Sequence, residues 1–271
     1  MKKYKLSVII PSLNEEWLGK TIQDVIEHSN EDTEIIAVLD GWEPDFRLPK
    51  SERLKVIRNE ITKGQRAAQN IGVKESTSDF VMKCDSHISL SQGFDKVMIE
   101  IMEANPDIVL VPALGNLHVY DYICPKGHRT YQGKVDKCSQ CDSKELTKEL
   151  VWKVSSKLYS DFYFDKDLIF QFGDVDNFEM LHETKAIQGS CFIVSRDNYW
   201  IWELCDELWG SWGQQGYEVY TKTIRNGGKV FSTRRAFMGH FFRKADEFPY
   251  KRSQEQIDNS YKKSLELSKI K

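Results

Sequence analysis

The sequence predicts an α/β protein: a mostly parallel sheet of Rossmann-like type flanked by helices, carrying a small inserted zinc ribbon. Three observations predict it. Short apolar runs rich in Val and Ile alternate with helical segments from Leu6 to Val119. At Tyr122 the alternation gives way to a polar, Lys-rich stretch with four potential metal ligands. Core-like runs resume at Gln188.

Leu6-Ser7-Val8-Ile9-Ile10-Pro11 reads as a buried first strand closed by proline. A loop at 12–15 leads into a helix at 17–28, and residues 34–39 form a second strand ending at Asp40-Gly41. Residues 54–58 make the third strand, 64–75 an Ala- and Gln-rich helix, and 79–84 the fourth strand. A helix at 92–103 and a strand at 108–112 follow. Beyond the insertion come a strand at 188–194, an aromatic helix at 199–209, and a helix at 216–226 stopped by Gly227-Gly228. A late strand at 229–233 and a polar surface helix at 253–271 complete the chain.

Composition bounds the function. With 271 residues, 40% of them apolar, the chain can bury one large core. Net charge is only −3, yet nine Lys and Arg residues between Lys222 and Arg252 face just Asp246 and Glu247. Such a run suits a polyanionic ligand or is simply a solvated face. No apolar stretch approaches the roughly 18 residues of a membrane span, and no signal peptide is visible, so a cytoplasmic location without membrane partners is expected. The six cysteines are then expected reduced, and a cysteine cluster reads as metal-binding before it reads as disulfide.

The turn after the first strand, Pro11-Ser12-Leu13-Asn14-Glu15-Glu16, lacks the Gly-x-Gly-x-x-Gly of dinucleotide-binding enzymes, and no Walker loop is present. The apolar run 80–82 ends instead in Asp85-Ser86-His87, a carboxylate and an imidazole two residues apart. Those groups suit Mg²⁺ or Mn²⁺, the imidazole favouring Mn²⁺; a solvated strand end is the plain alternative.

Cys124 and His128, followed by Cys138 and Cys141, give Cys-x₃-His…Cys-x₂-Cys, four ligands for a structural Zn²⁺ with no vacancy for catalysis. Surface thiols with an incidental His are the other reading. Cys84, Cys191 and Cys205 fit core positions. Lys126, Arg129, Lys134 and Lys137 make the insertion basic, compatible with a DNA acceptor, with docking of a protein, or with a cap over the acceptor cleft.

Residues 7–16, Asp40-Gly41 and Lys63-Gly64-Gln65-Arg66-Ala67-Ala68-Gln69-Asn70-Ile71-Gly72 resemble the N-terminal half of family 2 glycosyltransferases with the GT-A fold. Asp85-Ser86-His87 is similar to the Asp-x-His of polypeptide N-acetylgalactosaminyltransferases. Trp212-Gly213-Gln214-Gln215-Gly216-Tyr217-Glu218 and Gly239-His240-Phe241-Phe242-Arg243-Lys244 resemble two further motifs of those enzymes. The resemblance implies a nucleotide-sugar half at 1–121, a zinc-ribbon-like insertion at 122–150, an acceptor half at 151–250 and a C-terminal helix at 251–271. It implies a donor, a UDP-sugar, held by Pro11, Asn14, Glu15, Asp40, Arg66, Asp85, Arg243 and Lys244. A catalytic Mn²⁺ or Mg²⁺ would be held by Asp85, His87 and His240, neutralising the diphosphate as the glycosidic bond breaks.

One departure bears on mechanism. Inverting members keep a Glu-Asp pair about a dozen residues before the helix-ending Gly, where this chain has Gln215-Gly216. Neither can take a proton from a hydroxyl. The expectation is a retaining transfer to an acceptor hydroxyl, on a hydroxymethylated DNA base, a glycan or a protein. Glu218 is the fallback base, and Arg243 assists at the phosphates. The competing reading is a catalytically silent module that binds nucleic acid or protein through its zinc ribbon.

Overall fold

A computed structural model describes residues 4–30, 32–173 and 179–269; Met1–Lys3 and the last two residues of the expected terminal helix lie outside the described residues. The chain runs β1 (Leu6–Ser12), α1 (Leu18–His28), β2 (Thr33–Asp40), β3 (Leu54–Asn59), α2 (Gln65–Lys74), β4 (Phe80–Cys84), β5 (Ile88–Leu90) and α3 (Phe94–Ala104). Then follow β6 (Ile108–Ile123), β7 (Arg129–Tyr131), β8 (Thr147–Tyr159), β9 (Phe162–Phe164), β10 (Phe170–Phe172), β11 (Leu181–Glu183) and β12 (Cys191–Ser195). The last elements are α4 (Arg196–Ile201), α5 (Gln215–Arg225), β13 (Lys229–His240) and α6 (Gln254–Lys269).

The main sheet has the order β11-β13-β6-β12-β4-β1-β2-β3. Every residue of β1 and β2 is buried, as expected for Val- and Ile-rich strands covered on both faces. The strands β4, β1, β2 and β3 are parallel, and so are β13 and β6. The strand β12 runs antiparallel to both β4 and β6, so the sheet is mixed where the sequence suggested a mostly parallel one. A strand buried on both faces is a continuous apolar run whichever way it points, so Cys191–Ser195 carries no mark of its direction.

The first strand lies between β4 and β2, so the order reverses at β1. Open α/β sheets form their ligand crevice at such a switch point, outside the C-terminal strand ends. Here those ends are Ser12, Asp40 and Cys84.

Two elements differ from the sequence reading. The expected helix at 199–209 is split: α4, capped by the Ser195 hydroxyl on the Asn198 N–H, stops before Glu203, whose φ of 51° leaves the helical region. The strand expected at 108–112 continues to Ile123 and leaves the core as a long arm paired with β7 and β8. Leu117, Val119, Tyr120 and Phe241 build a second small core beneath it, against Trp17 and Trp152. The expected divisions at 121/122 and 150/151 therefore fall inside continuous strands, β6 and β8.

Candidate active site

The last residue of β13, His240, reaches the Asp85-Ser86-His87 turn because β13 pairs with β5, setting His240 opposite Ile88. The Phe241 N–H donates to the His87 carbonyl at 3.2 Å and tightens this join. From below, the Thr21 hydroxyl of α1 bonds Ser86 O and Ile88 O, holding the turn to the helix.

Asp85, His87 and His240 offer one ligand atom each, all within 4.8 Å of one another. His240 Nε2 lies 3.1 Å and His87 Nε2 4.0 Å from the Asp85 Oδ2. His87 Nδ1 sits 2.9 Å from the Glu15 carboxylate and 3.1 Å from Arg243 Nη1, which turns Nε2 toward Asp85. The carboxylate–histidine pairing is one that metal ligands use to set tautomer and ring orientation. Burial would raise the Glu15 acid, but the His87 and Arg243 partners outweigh it and bring it to about 2. Burial draws His240 down to about 4, despite its Asp85 partner, so it is held neutral as a ligand must be. Burial opposes ionisation of Asp85, yet the Lys83 charge and the His240 hydrogen bond hold its acid far below the usual range. Two imidazoles and a carboxylate form a donor set that fits Mn²⁺ or Mg²⁺.

Arg243 differs from expectation. Its two terminal nitrogens form a fork on Glu15 at 2.7 and 2.8 Å, and its guanidinium covers the Phe241 ring at 4.6 Å. Two of its five N–H donors are thus committed to Glu15, behind the candidate ligand His87, while the residue still lines the cleft. Lys244 is exposed and lies outside the cleft lining.

The cleft beside the triad has a volume of about 730 Å³. Pro11, Glu15, Asp40 and Asp85 line it; Asn14 does not, being exposed on the turn with a left-handed φ of 52°. Asp40 accepts from Asn59 Nδ2 and from the N–H groups of Lys63 and Gly64 at 2.8–2.9 Å. With roughly four acceptor sites on a carboxylate, one place remains for a ligand.

Two expected site residues are withdrawn from the cleft. Arg66 and Glu218 pair at 2.8 Å with side chains 2% and 0% exposed. Arg66 also donates to Gly210 O and Gly213 O, while Glu218 accepts from Asp206 N–H and Lys222. Arg66 is thus a brace beneath the 210–214 loop rather than a donor contact, and Glu218 cannot reach an acceptor as a base. Gly216 is closed as well: a Cβ there would stand 2.1 Å from the Ile187 carbonyl. The Gln215 amide is held by Gln69 and Gln65.

Lys83 is a site residue that sequence reasoning missed. It lies on β4 two residues before Asp85, and its ammonium contacts Asp85 Oδ1 and Gly189 O. The signal was available as one cation inside the apolar run Phe80-Val81-Met82-Lys83-Cys84. The far cleft wall, also unforeseen, is aromatic: Phe164, Phe170, Trp212, Phe248, Tyr250 and Tyr261, with Lys251 and Arg252 among them. Burial, together with the charges of Asp85 and Glu15, pushes the Tyr250 phenol up to about 12, so it faces the cleft protonated.

Away from the cleft, Cys124, His128, Cys138 and Cys141 converge. Cys124 and Cys141 sulfurs are 3.7 Å apart, as are Cys138 Sγ and His128 Nδ1. Thiolates about 2.3 Å from a tetrahedral zinc lie about 3.8 Å from each other, so the spacing fits. The Gln140 N–H, at 3.4 Å from Cys138 Sγ, leads the contacts that lower this thiol to about 6 against its burial. Cys84, Cys191 and Cys205 are buried elsewhere in the core. The insertion is less basic than its sequence: Arg129 pairs with Asp121 and Glu149, Lys134 with Asp246 and Lys137 with Asp142. The run from Lys222 to Arg252 is likewise dispersed, onto Glu218, Glu183, Glu100 and Glu15. No helix among the described residues is long and apolar enough to cross a membrane.

Comparison with known proteins agrees with this geometry. Residues 7–119 match Glycosyl transferase family 2. A putative polypeptide N-acetylgalactosaminyltransferase 13 of Drosophila melanogaster is 23% identical over 98% of this chain and 47% of its own length. An uncharacterized glycosyltransferase of Rickettsia bellii is 26% identical over 39% of this chain and 16% of its own. The chain spans less than half the length of these curated relatives. The crystal structure of GalNAc-T7 with UDP, GalNAc and Mn²⁺ superposes with a TM-score of 0.70 at 18% identity, covering 98% of this chain and 48% of that one. Residues 7–119 are thus similar to the Glycosyl transferase family 2 domain, and the chain as a whole has the GT-A fold.

Proposed function

We propose that this protein transfers a sugar from a nucleotide-sugar, a UDP-sugar, to an acceptor hydroxyl, in a metal-dependent and retaining reaction. The observation that carries the reading is the convergence of Asp85, His87 and His240 at the switch-point crevice, with Glu15 and Arg243 behind them. A divalent ion on these three residues would neutralise the diphosphate as it departs. Asp40 and Pro11 line the same cleft, which supports a nucleoside contact there. Relatives of the same fold carry names and ligands of this chemistry: the neighbouring GalNAc-T7 structure holds UDP, GalNAc and Mn²⁺.

Retention is supported by the missing base. Gly216 has no room for a side chain, and Glu218 is buried in an ion pair. In a front-face reaction the leaving phosphate accepts the hydroxyl proton, and the protein's task is to hold charge and exclude water. A glycan or protein acceptor suits the cleft better than DNA. Its far wall is aromatic, and Arg129, Lys134 and Lys137 of the insertion are already paired with acids. Zn²⁺ at Cys124, His128, Cys138 and Cys141 would be structural, holding a segment too polar to build its own core.

Mn²⁺-dependent release of UDP from UDP-glucose, UDP-N-acetylglucosamine or UDP-N-acetylgalactosamine tests the activity. Release without acceptor, and faster with one, is the expected result. Lack of release from every donor would leave a binding module instead. Proton NMR of the product's anomeric centre reports retention or inversion.

A further inference from the structure

A buried lysine beside a metal ligand calls for a physical reason. The Lys83 side chain is 2% exposed, and its ammonium rests between Asp85 Oδ1 and the Gly189 carbonyl, 2.7 Å away. Gly189, with φ at 89°, turns that carbonyl into place. The other Asp85 oxygen, Oδ2, faces His240 and His87. Lys83 therefore occupies one oxygen and leaves the second for an ion.

The charges of the centre then cancel. Asp85 is paired with Lys83 and Glu15 with Arg243, while the two imidazoles are neutral when they ligate a metal. A dication entering alone meets no net negative charge, whereas a diphosphate brings several. Lys251 and Arg252 on the cleft lining add positive charge that suits a diphosphate.

We propose that Lys83 is a positioning residue and charge counterweight, which makes firm binding of the divalent ion conditional on the nucleoside diphosphate. The inference rests on the functional reading above and concerns the order in which ion and nucleotide are held. A lysine that served only to satisfy Asp85 during folding would alter thermal stability and leave this coupling untouched.

Titration of Mn²⁺ into the full chain with its zinc retained, followed by the EPR signal of free Mn²⁺, tests the idea. The wild type is expected to bind Mn²⁺ weakly alone and about tenfold or more tightly with UDP. In Lys83→Met the affinity for Mn²⁺ alone is expected to rise about tenfold, and the gain from UDP to shrink. Lys83→Arg should restore the wild-type pattern. Should Lys83→Met fail to fold, Lys83→Gln, which can still donate to Gly189 O, takes its place. Mn²⁺ affinity in the neutral variant equal to or weaker than wild type, with UDP coupling retained, would overturn the role of Lys83 alone. A wild type that binds no Mn²⁺ even with UDP would overturn the metal-dependent reading and this proposal with it.

Discussion

Arg243 and Glu15 form a two-pronged ion pair at 2.7 and 2.8 Å that joins the end of β13 to the turn after β1, 228 residues apart in sequence. Both side chains are nearly buried, at 6% and 3% exposure. The pair bears on the candidate metal site indirectly, because the same Glu15 carboxylate contacts His87.

Replacing Arg243 by Ala leaves Glu15 buried without its two-pronged partner, with only His87 and the Trp17 N–H beside it. Stability should fall by about 3–5 kcal/mol, and Mn²⁺ affinity in the presence of UDP by about 10–100-fold. Arg243→Lys should recover little, since an ammonium cannot make the fork. Calorimetry and EPR titration check the two effects separately; an unchanged Mn²⁺ affinity in Arg243→Ala would remove the supporting role.

Glu218→Gln separates a structural acid from a catalytic one. The buried pair with Arg66 should lose about 3–5 kcal/mol, visible in the melting temperature. Turnover per folded molecule should stay near the wild-type value. A general base would show the reverse, a loss of about 100-fold or more in kcat without a matching loss of stability.

Gly216→Asp puts a carboxylate where inverting relatives keep one. With the Ile187 carbonyl 2.1 Å from any Cβ, the backbone must shift, at a cost of about 1–3 kcal/mol or more. The product's anomeric configuration should be unchanged. A switch to inversion, read by NMR, would show that the site can accept a base there.

Zinc removal should affect the cleft as well as the insertion. The Lys134 N–H and the Lys244 N–H both bond the Glu247 carboxylate, linking the insertion to the segment that carries Phe248, Tyr250 and Arg252. Elemental analysis should find one zinc per chain. A strong chelator, or Cys138→Ser, should expose residues 124–146 to protease and weaken UDP affinity. Protection equal to the metal-loaded protein would argue against a structural ion.

The donor side of the site was legible in the sequence because its signals are local. Asp85 and His87 lie on one turn, and a short strand ending in such a pair marks a sheet edge. The register that brings in His240 was legible only through the flanking motif. What misled was burial. Arg66 and Glu218 look like available charges in sequence, and only packing shows that their hydrogen bonds go to each other, to Lys222 and to neighbouring backbone. The basic runs failed for the same reason, since the acids that neutralise them, Glu15 and Glu100 among them, come from distant segments. Lys83 was hidden by its company: inside an apolar run it reads as a strand residue until its i, i+2 relation to Asp85 is drawn on one face.

One consequence concerns β6. Its sixteen residues run without interruption from beside β12 and β13 in the main core to the cysteine cluster. At about 3.3 Å per residue this is a rod of roughly 50 Å, stiffened on one side by β8. The two candidate metal-binding groups are therefore surveyed from a common baseline, and the insertion holds a fixed station relative to the Asp85, His87 and His240 cluster. An acceptor that touches both would be measured as by a gauge block, its length and bend matched against a span already set when the sheet folds.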